Sequence, residues 1–163
     1  MSSLNSAPIT IRFFPPDDKL KPYISTLYLT EVVTDDSERI ADYLHPEWTN
    51  LRFFDGNCPL AAIGDDEPEL STRFAVVGPT SKATYFSAAT MRAWGIGLLP
   101  LGWAKLVSAP ADKYADIIVD GLSAPDFVAF APFQSRIFAS SGADAKTEAA
   151  TINQLLVEML KRA

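Results

Sequence analysis

The chain has a single histidine, His45, and the residues around it limit the chemistry that the sequence can support. His45-Pro-Glu47 has the His-x-Glu spacing of zinc deaminases, but Cys58 is the sole cysteine and the paired cysteines of those enzymes are missing. A catalytic zinc ion generally takes two or three imidazoles, or several thiolates. We therefore expect no metal site, and we interpret His45 as a turn residue or as a hydrogen-bonding contact to a ligand.

Sequence motifs for nucleophilic catalysis and for phosphate binding are also missing. His45 could serve as the base of a Ser-His-Asp triad, yet the chain contains no Gly-x-Ser-x-Gly elbow. Gly95-Ile-Gly97 is a fragment of a dinucleotide fingerprint, and Gly78-Pro-Thr-Ser-Lys82 lacks the order of a phosphate loop. These glycines are typical of a bulge, a bend or close packing. We expect no enzyme, no catalytic residue and no cofactor, with metal-free acid–base catalysis by Glu47 or Asp55 as the remaining enzymatic alternative.

Aromatic and basic residues on strand-like segments are the better functional candidates. A small β-barrel has an interior that holds either packed side chains or one small ligand. Ligand pockets combine apolar walls with a few polar groups, which is the mixture of residues found here. The alternative is that the aromatic side chains fill a core and the arginines face water. The candidate ligand-binding residues are His45, Glu47, Trp48, Arg52, Arg73, Tyr85, Arg92 and Trp94.

The first two thirds of the chain predict about eight short strands. Their spacing is close to ten residues, and turn residues rather than helices separate them, which favours antiparallel pairing. Because exposed sheet edges invite aggregation, we expect the sheet to close into a barrel over residues 9–99. The predicted strands are 9–14, 23–33, 40–44, 51–54, 59–63, 72–77, 83–87 and 91–99.

Residues 100–163 predict three or four short helices, which makes the chain mainly β with a helical end (α+β). Ser123-Ala-Pro-Asp126 matches a capping box, and Pro132 predicts two short pieces or a kink between 126 and 139. The last helix carries an apolar stripe that must be buried, either against the barrel or against another subunit. We assign this stripe to dimerisation; it consists of Ile152, Leu155, Leu156, Met159 and Leu160.

Size and composition predict one soluble domain, residues 1–163. Apolar residues make up 48% of the chain, and 20 acidic against 14 basic residues give a net charge of −6. Without a dense run of Lys or Arg, the chain alone should not bind nucleic acid. One cysteine excludes an internal disulfide framework, and no apolar run approaches the ~20 residues that span a bilayer. We expect a cytoplasmic protein without a membrane partner.

Several motifs follow one another in a recognisable order. Phe13-Phe-Pro-Pro16 and Leu20-Lys-Pro-Tyr23 open the chain, and Leu44-His-Pro-Glu-Trp-Thr-Asn-Leu-Arg-Phe53 comes next. The turn Val77-Gly-Pro-Thr80 and the segment from Trp94 to Leu122, with its Pro-Leu-Gly start of a helix, complete the series. In order and spacing these motifs resemble the amino-terminal sensor domain of AraC-type transcription regulators. One departure is Glu47-Trp48, which stands where that family tends to have Asp-Gly.

The resemblance implies a cupin-like β-barrel that binds a small effector, followed by helices that form a homodimer. In those regulators two helix-turn-helix units follow the sensor, whereas this chain reaches Ala163 without them. DNA binding is therefore expected only if a longer protein supplies that domain. The alternative is a stand-alone β-barrel that binds a small molecule and has no DNA-binding partner domain.

Overall fold

The computed structural model describes residues 8–139 and 142–163. Within these ranges the chain forms ten β-strands, three α-helices and three short 3-10 helices. The strands are β1 Ile9–Phe14, β2 Ile24–Val32, β3 Ile40–Leu44, β4 Thr49–Gly56, β5 Leu60–Ile63, β6 Glu69–Leu70, β7 Phe74–Val77, β8 Thr84–Ala88, β9 Met91–Leu98 and β10 Ile118–Asp120. The α-helices are α1 Pro100–Leu106, α2 Pro132–Ile137 and α3 Ala145–Arg162, and the 3-10 helices are Asp18–Leu20, Ala111–Tyr114 and Pro125–Phe130.

The strands form two separate antiparallel sheets. The larger sheet has the order β1-β2-β9-β4-β7-β10, and the smaller sheet has the order β3-β8-β5-β6. The mainly β, α+β prediction is confirmed, and the closed barrel is wrong because the described strands do not close into one. Instead of closure, the edges at β6 and β10 are only two and three residues long, which limits pairing with another chain.

Two strands were not predicted. β6 is too short to show a period-two pattern, and β10 lies inside the region expected to be helical throughout. β10 extends the larger sheet by pairing with β7, where Val119 lies opposite Val76. The division into a β region at 9–99 and a helical region at 100–163 is therefore wrong at 118–120.

The larger sheet is covered on both faces. Alternate side chains of β9 point to opposite faces, as the pleat requires. Trp94 and Ile96 belong to the main core, which they share with Phe127, Phe130 and the helices. Met91 and Ala93 belong to a smaller cluster that includes Ala88 and Phe86 of the smaller sheet. The order of layers is thus smaller sheet, larger sheet and helices.

The helical region follows its prolines. The 3-10 helix ends at Phe130, and α2 begins at Pro132, so the predicted division into two short pieces is confirmed. The predicted capping box is wrong, because Ala124 precedes the 3-10 helix and the Ser123 hydroxyl donates to Asp120 instead. The Ser123 hydroxyl has this partner because the turn after β10 brings Asp120 Oδ2 to within 2.9 Å of Ser123 Oγ.

Helix α3 packs against the chain's own core. Asp144 caps it by accepting a hydrogen bond from the backbone N–H of Thr147 at 2.8 Å. Its apolar stripe faces inward: Ile152 and Leu156 are fully buried, and Leu155 is 7% exposed. Met159 and Leu160 are partly buried and also pack on this core. Of the two locations left open by the sequence, the stripe occupies the internal one.

Candidate ligand-binding site

A cavity of about 450 Å³ lies between the two sheets. β1, β2, β4 and β9 of the larger sheet form most of its wall, and Leu44 of β3 and Phe86 of β8 face them from the smaller sheet. Most of the wall is apolar. Its largest apolar side chains are Ile11, Phe13, Trp48, Phe54, Phe86 and Met91. Two of the lining side chains, Phe13 and Trp48, are 70% and 39% exposed.

Four polar side chains form one hydrogen-bonded cluster in the wall of this cavity. The Arg52 guanidinium donates through Nη2 to Glu47 Oε1 at 2.5 Å and through Nε to the Tyr28 hydroxyl at 3.1 Å. Tyr28 in turn donates to Asn50 Oδ1 at 2.8 Å. The arrangement satisfies the Tyr28 hydroxyl as both donor and acceptor. We call Tyr28, Glu47, Asn50 and Arg52 the polar cluster.

A glycine makes the polar cluster possible. Tyr28 on β2 and Arg52 on β4 are not on neighbouring strands, because β9 lies between them. Both residues pair with Gly95 of β9. A Cβ at Gly95 would lie 1.9 Å from Tyr28 Cζ, so the Tyr28 ring lies directly over the Gly95 backbone. The absence of a side chain at Gly95 therefore lets Tyr28 reach across β9 to Arg52.

Glu47 is fixed by the turn that contains Thr80. The backbone N–H of Glu47 donates to Thr80 Oγ1 at 2.8 Å, and the backbone N–H of Thr80 donates to the Glu47 carbonyl at 2.9 Å. These two bonds hold the segment before β4 against the Gly78–Thr80 turn. The carboxylate of Glu47 is thereby directed at Arg52.

Burial and hydrogen bonding shift the pKa values of Tyr28 and Arg52 in the polar cluster. Burial raises the pKa of Tyr28, so its hydroxyl stays protonated near neutral pH. Burial alone would lower the pKa of Arg52, but Tyr28 and Glu47 more than offset it and the pKa lies above its usual value. The Arg52 and Glu47 side chains are 13% and 28% exposed. They form a partly buried ion pair with no net charge.

Three of the eight candidate ligand-binding residues line this cavity: Glu47, Trp48 and Arg52. The two arginines proposed beside them lie elsewhere. Arg73 is exposed and donates to the Gly56 carbonyl at 2.8 Å, and Arg92 contacts helix α3.

The remaining three candidates also lie outside the cavity. His45 is exposed in the loop after β3. Tyr85 lies on the outer face of the smaller sheet, with its ring 5.5 Å from that of Tyr43. Trp94 is fully buried on the helical face of the larger sheet, 5.3 Å from the Phe14 ring.

Sequence reasoning missed Tyr28 and Asn50. Asn50 could have been found, because strand alternation places it on the same face as Arg52 two residues later. Tyr28 could not, because it lies far away in sequence and reaches the cluster only through the pairing of β2 and β4 with β9. Gly95 was interpreted as a close-packing position among other options, and close packing is what the structure shows.

A second polar cluster lies on the opposite face of β9. The Glu148 side chain of α3 is only 2% exposed and binds both Nη atoms of Arg92, with Nη1 at 2.9 Å from Oε2. Trp94 Nε1 also donates to Glu148, at 3.3 Å. The hydrogen bond to Glu148 is the main reason that the pKa of Arg92 lies above its usual value. β9 therefore connects the wall of the cavity with helix α3.

An acidic depression of about 480 Å³ lies between β5, β6 and β10. Asp66, Glu67, Glu69 and Asp120 line it. Asp120 already accepts hydrogen bonds from Thr72, Ser123 and the backbone N–H of Leu122, so it serves the local fold. In residues 8–139 and 142–163, no three His, Cys, Asp or Glu side chains are grouped so that they could hold a metal ion. None of the described helices combines the length and apolarity that crossing a membrane requires.

No protein-family model and no curated protein matches this sequence. The resemblance to AraC-type sensor domains therefore rests on the order of the motifs given above.

Proposed function

We propose that this chain is the ligand-sensing domain of an AraC-type transcription regulator and that it binds a small effector in the cavity between its two sheets. The observation that carries the proposal is the cavity itself. Its volume of about 450 Å³ falls within the range of roughly 300–1,000 Å³ typical of small-molecule sites. Its apolar wall with one polar cluster is also the usual composition of such sites.

The strand β9 provides a route from the effector to the rest of a regulator. Ala93 and Gly97 line the cavity, whereas Arg92 and Trp94 on the other face of the same strand bind Glu148 of α3. A ligand that shifts β9 would therefore shift the contact between the sheet and α3. The size of such a response is limited by the difference in ligand affinity between the two arrangements.

A stand-alone small-molecule-binding protein is the second candidate function. The observation in its favour is the internal packing of α3, because Ile152 and Leu156 are fully buried within the chain. Side chains that are fully buried within the chain are not available to a subunit interface, so the homodimer expected from the resemblance would need to use other residues.

Native mass spectrometry of the freshly purified chain tests the proposal. We expect the spectrum to show a bound compound of small mass. In a second measurement, thermal denaturation, we expect a compound from a metabolite library to raise the melting temperature of the chain. Thr30 lines the cavity from β2, so Thr30→Phe should fill it and abolish binding. Thr10→Phe is the matched control, because Thr10 is exposed on the neighbouring strand β1 and is not part of the cavity wall.

Three outcomes separate the alternatives. Binding that survives Thr30→Phe would refute the cavity as the site. Binding by a chain that stays monomeric with and without ligand favours the stand-alone protein. Binding that changes the ratio of monomer to dimer favours the regulator, and a reading frame that continues into helix-turn-helix units would support the same conclusion.

A further inference from the structure

The cavity has a nearly neutral wall. Of its lining residues, the ionisable ones are Tyr28, Glu47 and Arg52. Tyr28 is protonated near neutral pH, since its pKa is raised, and the charges of Glu47 and Arg52 cancel across a 2.5 Å contact. The rest of the lining consists of apolar residues, hydroxyl groups and one amide. A ligand therefore meets hydrogen-bonding groups but no net charge.

The polar cluster holds more donors than its own contacts use. Arg52 donates through Nε and Nη2, and among the described residues no acceptor takes the N–H groups of its Nη1. Asn50 uses its Oδ1 to accept from Tyr28, and no described residue accepts from its Nδ2. Both side chains bind the same Tyr28 hydroxyl and both line the cavity, so the unused donors belong to one polar cluster in its wall.

We infer that the occupant of this cavity is an uncharged, mostly apolar molecule with an exposed acceptor oxygen, such as a ketone or amide carbonyl. The carbonyl oxygen would accept from the free donors of Arg52 or of Asn50, and the apolar body would lie against Phe54, Phe86 and Met91. This inference rests on the proposed function, because it describes the ligand of the same site.

The ion pair between Arg52 and Glu47 explains why a neutral ligand is favoured. A carboxylate ligand would gain from Arg52 but would be repelled by Glu47, and it would lose its own hydration on entering an apolar cavity. A cationic ligand meets the reverse situation, with attraction to Glu47 and repulsion from Arg52. Transfer of a neutral carbonyl oxygen out of water costs far less free energy than transfer of an ion, and the oxygen still receives a charge-assisted hydrogen bond from Arg52.

A displacement assay with a matched pair of competitors tests this inference. Prodan, an uncharged naphthalene ketone whose emission shifts to the blue on leaving water, is the reporter. The competitors 2-naphthamide and 2-naphthoate have the same ring system and differ in charge. We expect 2-naphthamide to displace prodan at a concentration at least tenfold lower than 2-naphthoate near neutral pH. Equal or better displacement by 2-naphthoate would overturn the inference.

A single substitution should reverse this selectivity. Glu47→Gln removes the carboxylate that neutralises Arg52, so the preference should move at least tenfold toward 2-naphthoate. Glu31→Gln is the matched control: Glu31 also pairs with arginines, Arg12 and Arg92, but it does not line the cavity. The control should keep the preference of the unmodified protein. Because the competitor comparison in the unmodified chain needs no substitution, it decides the question even if Glu47→Gln does not fold.

Failure of the ligand class and failure of the proposed function give different results. If prodan binds, Thr30→Phe prevents its binding and 2-naphthoate competes as well as 2-naphthamide, the cavity stands and only the ligand class is wrong. If prodan does not bind, the inferred ligand class is wrong, and the cavity is judged by the compound found by native mass spectrometry. If prodan binds equally well to Thr30→Phe, the cavity is not its site and both proposals fail.

Discussion

Replacing Gly95 with alanine should disrupt the polar cluster by displacing the ring of Tyr28. The new Cβ would lie 1.9 Å from Tyr28 Cζ and 2.4 Å from both Cε atoms. Carbon atoms in contact normally stay roughly 3.5–4.0 Å apart, so the Tyr28 ring must move by well over an ångström. Such a shift breaks the hydrogen bonds from Arg52 to Tyr28 and from Tyr28 to Asn50.

The expected loss of stability follows from these contacts. The hydrogen bond between neutral Tyr28 and Asn50 contributes about 0.5–1.5 kcal/mol, and the one from charged Arg52 about 1.5–3 kcal/mol. Overpacking costs about 1–3 kcal/mol, although part of it is relieved as the ring moves. We therefore expect Gly95→Ala to lower the free energy of unfolding by about 3 kcal/mol. Urea denaturation followed by fluorescence and circular dichroism measures this quantity.

A double-mutant cycle isolates the clash with Tyr28. In Tyr28→Ala the ring is gone, and the new Cβ at position 95 has room. Gly95→Ala should then be close to neutral, or slightly stabilising because alanine has less freedom in the unfolded chain than glycine. The coupling free energy between Gly95 and Tyr28 should be about 3 kcal/mol. If Gly95→Ala costs the same with and without the Tyr28 ring, the account of how Gly95 positions the polar cluster is refuted.

Two further predictions concern the helical face. Glu148→Gln leaves Arg92 without its buried carboxylate and should lower the free energy of unfolding, measured by urea denaturation, by about 2 kcal/mol; the loss is smaller than for a fully buried pair because the Arg92 side chain is 30% exposed. The control Glu158→Gln, on the exposed side of α3, should change the free energy of unfolding by less than about 0.5 kcal/mol. Equal losses in the two variants would contradict the role of Glu148. The hydroxyl of Tyr114 is the main cause that holds the pKa of Asp126 below its usual value. The stability from Asp126 is therefore present above its unfolded-state pKa and is lost as pH falls through the lower folded-state pKa, so the melting temperature of Asp126→Asn should fall less than that of the unmodified chain between about pH 5 and about pH 3. Parallel curves for the two proteins would be the contradicting result.

The local elements could largely be predicted from the sequence. Alternating apolar residues and turn residues located eight of the strands, and Pro132 located the break before α2. The two missed strands, at 69–70 and 118–120, are too short for alternation to show. Their existence depends on partners, β5 and β7, that only the tertiary structure provides.

The arrangement of the strands could not be predicted in the same way. β3 pairs with β8 rather than with its sequence neighbours β2 and β4, and this pairing divides the strands into two sheets. Nothing within residues 40–44 indicates the distant partner. The prediction of a closed barrel used edge protection as its argument. Of the four edges of the described sheets, only β6 and β10 are very short, whereas β1 and β3 are six and five residues long.

Only part of the candidate site could be predicted, because the sequence does not show which elements pack against each face of a strand. Strand alternation separates Arg92 and Trp94 from Ala93 and Gly95, but it does not reveal which face of β9 borders the cavity. The helices pack against the face of β9 that carries Trp94, since Phe127, Phe130 and Ile152 supply the matching apolar surface.

An NMR titration with prodan shows whether a ligand binds between the two sheets, because the titration locates the ligand without assuming its site. We predict that the largest backbone amide shifts in the ¹H–¹⁵N spectrum occur at Tyr28, Asn50 and Phe86, on the two sheets that enclose the cavity. Shifts confined to the acidic depression near Glu69 and Asp120, or no shifts at all, would contradict it.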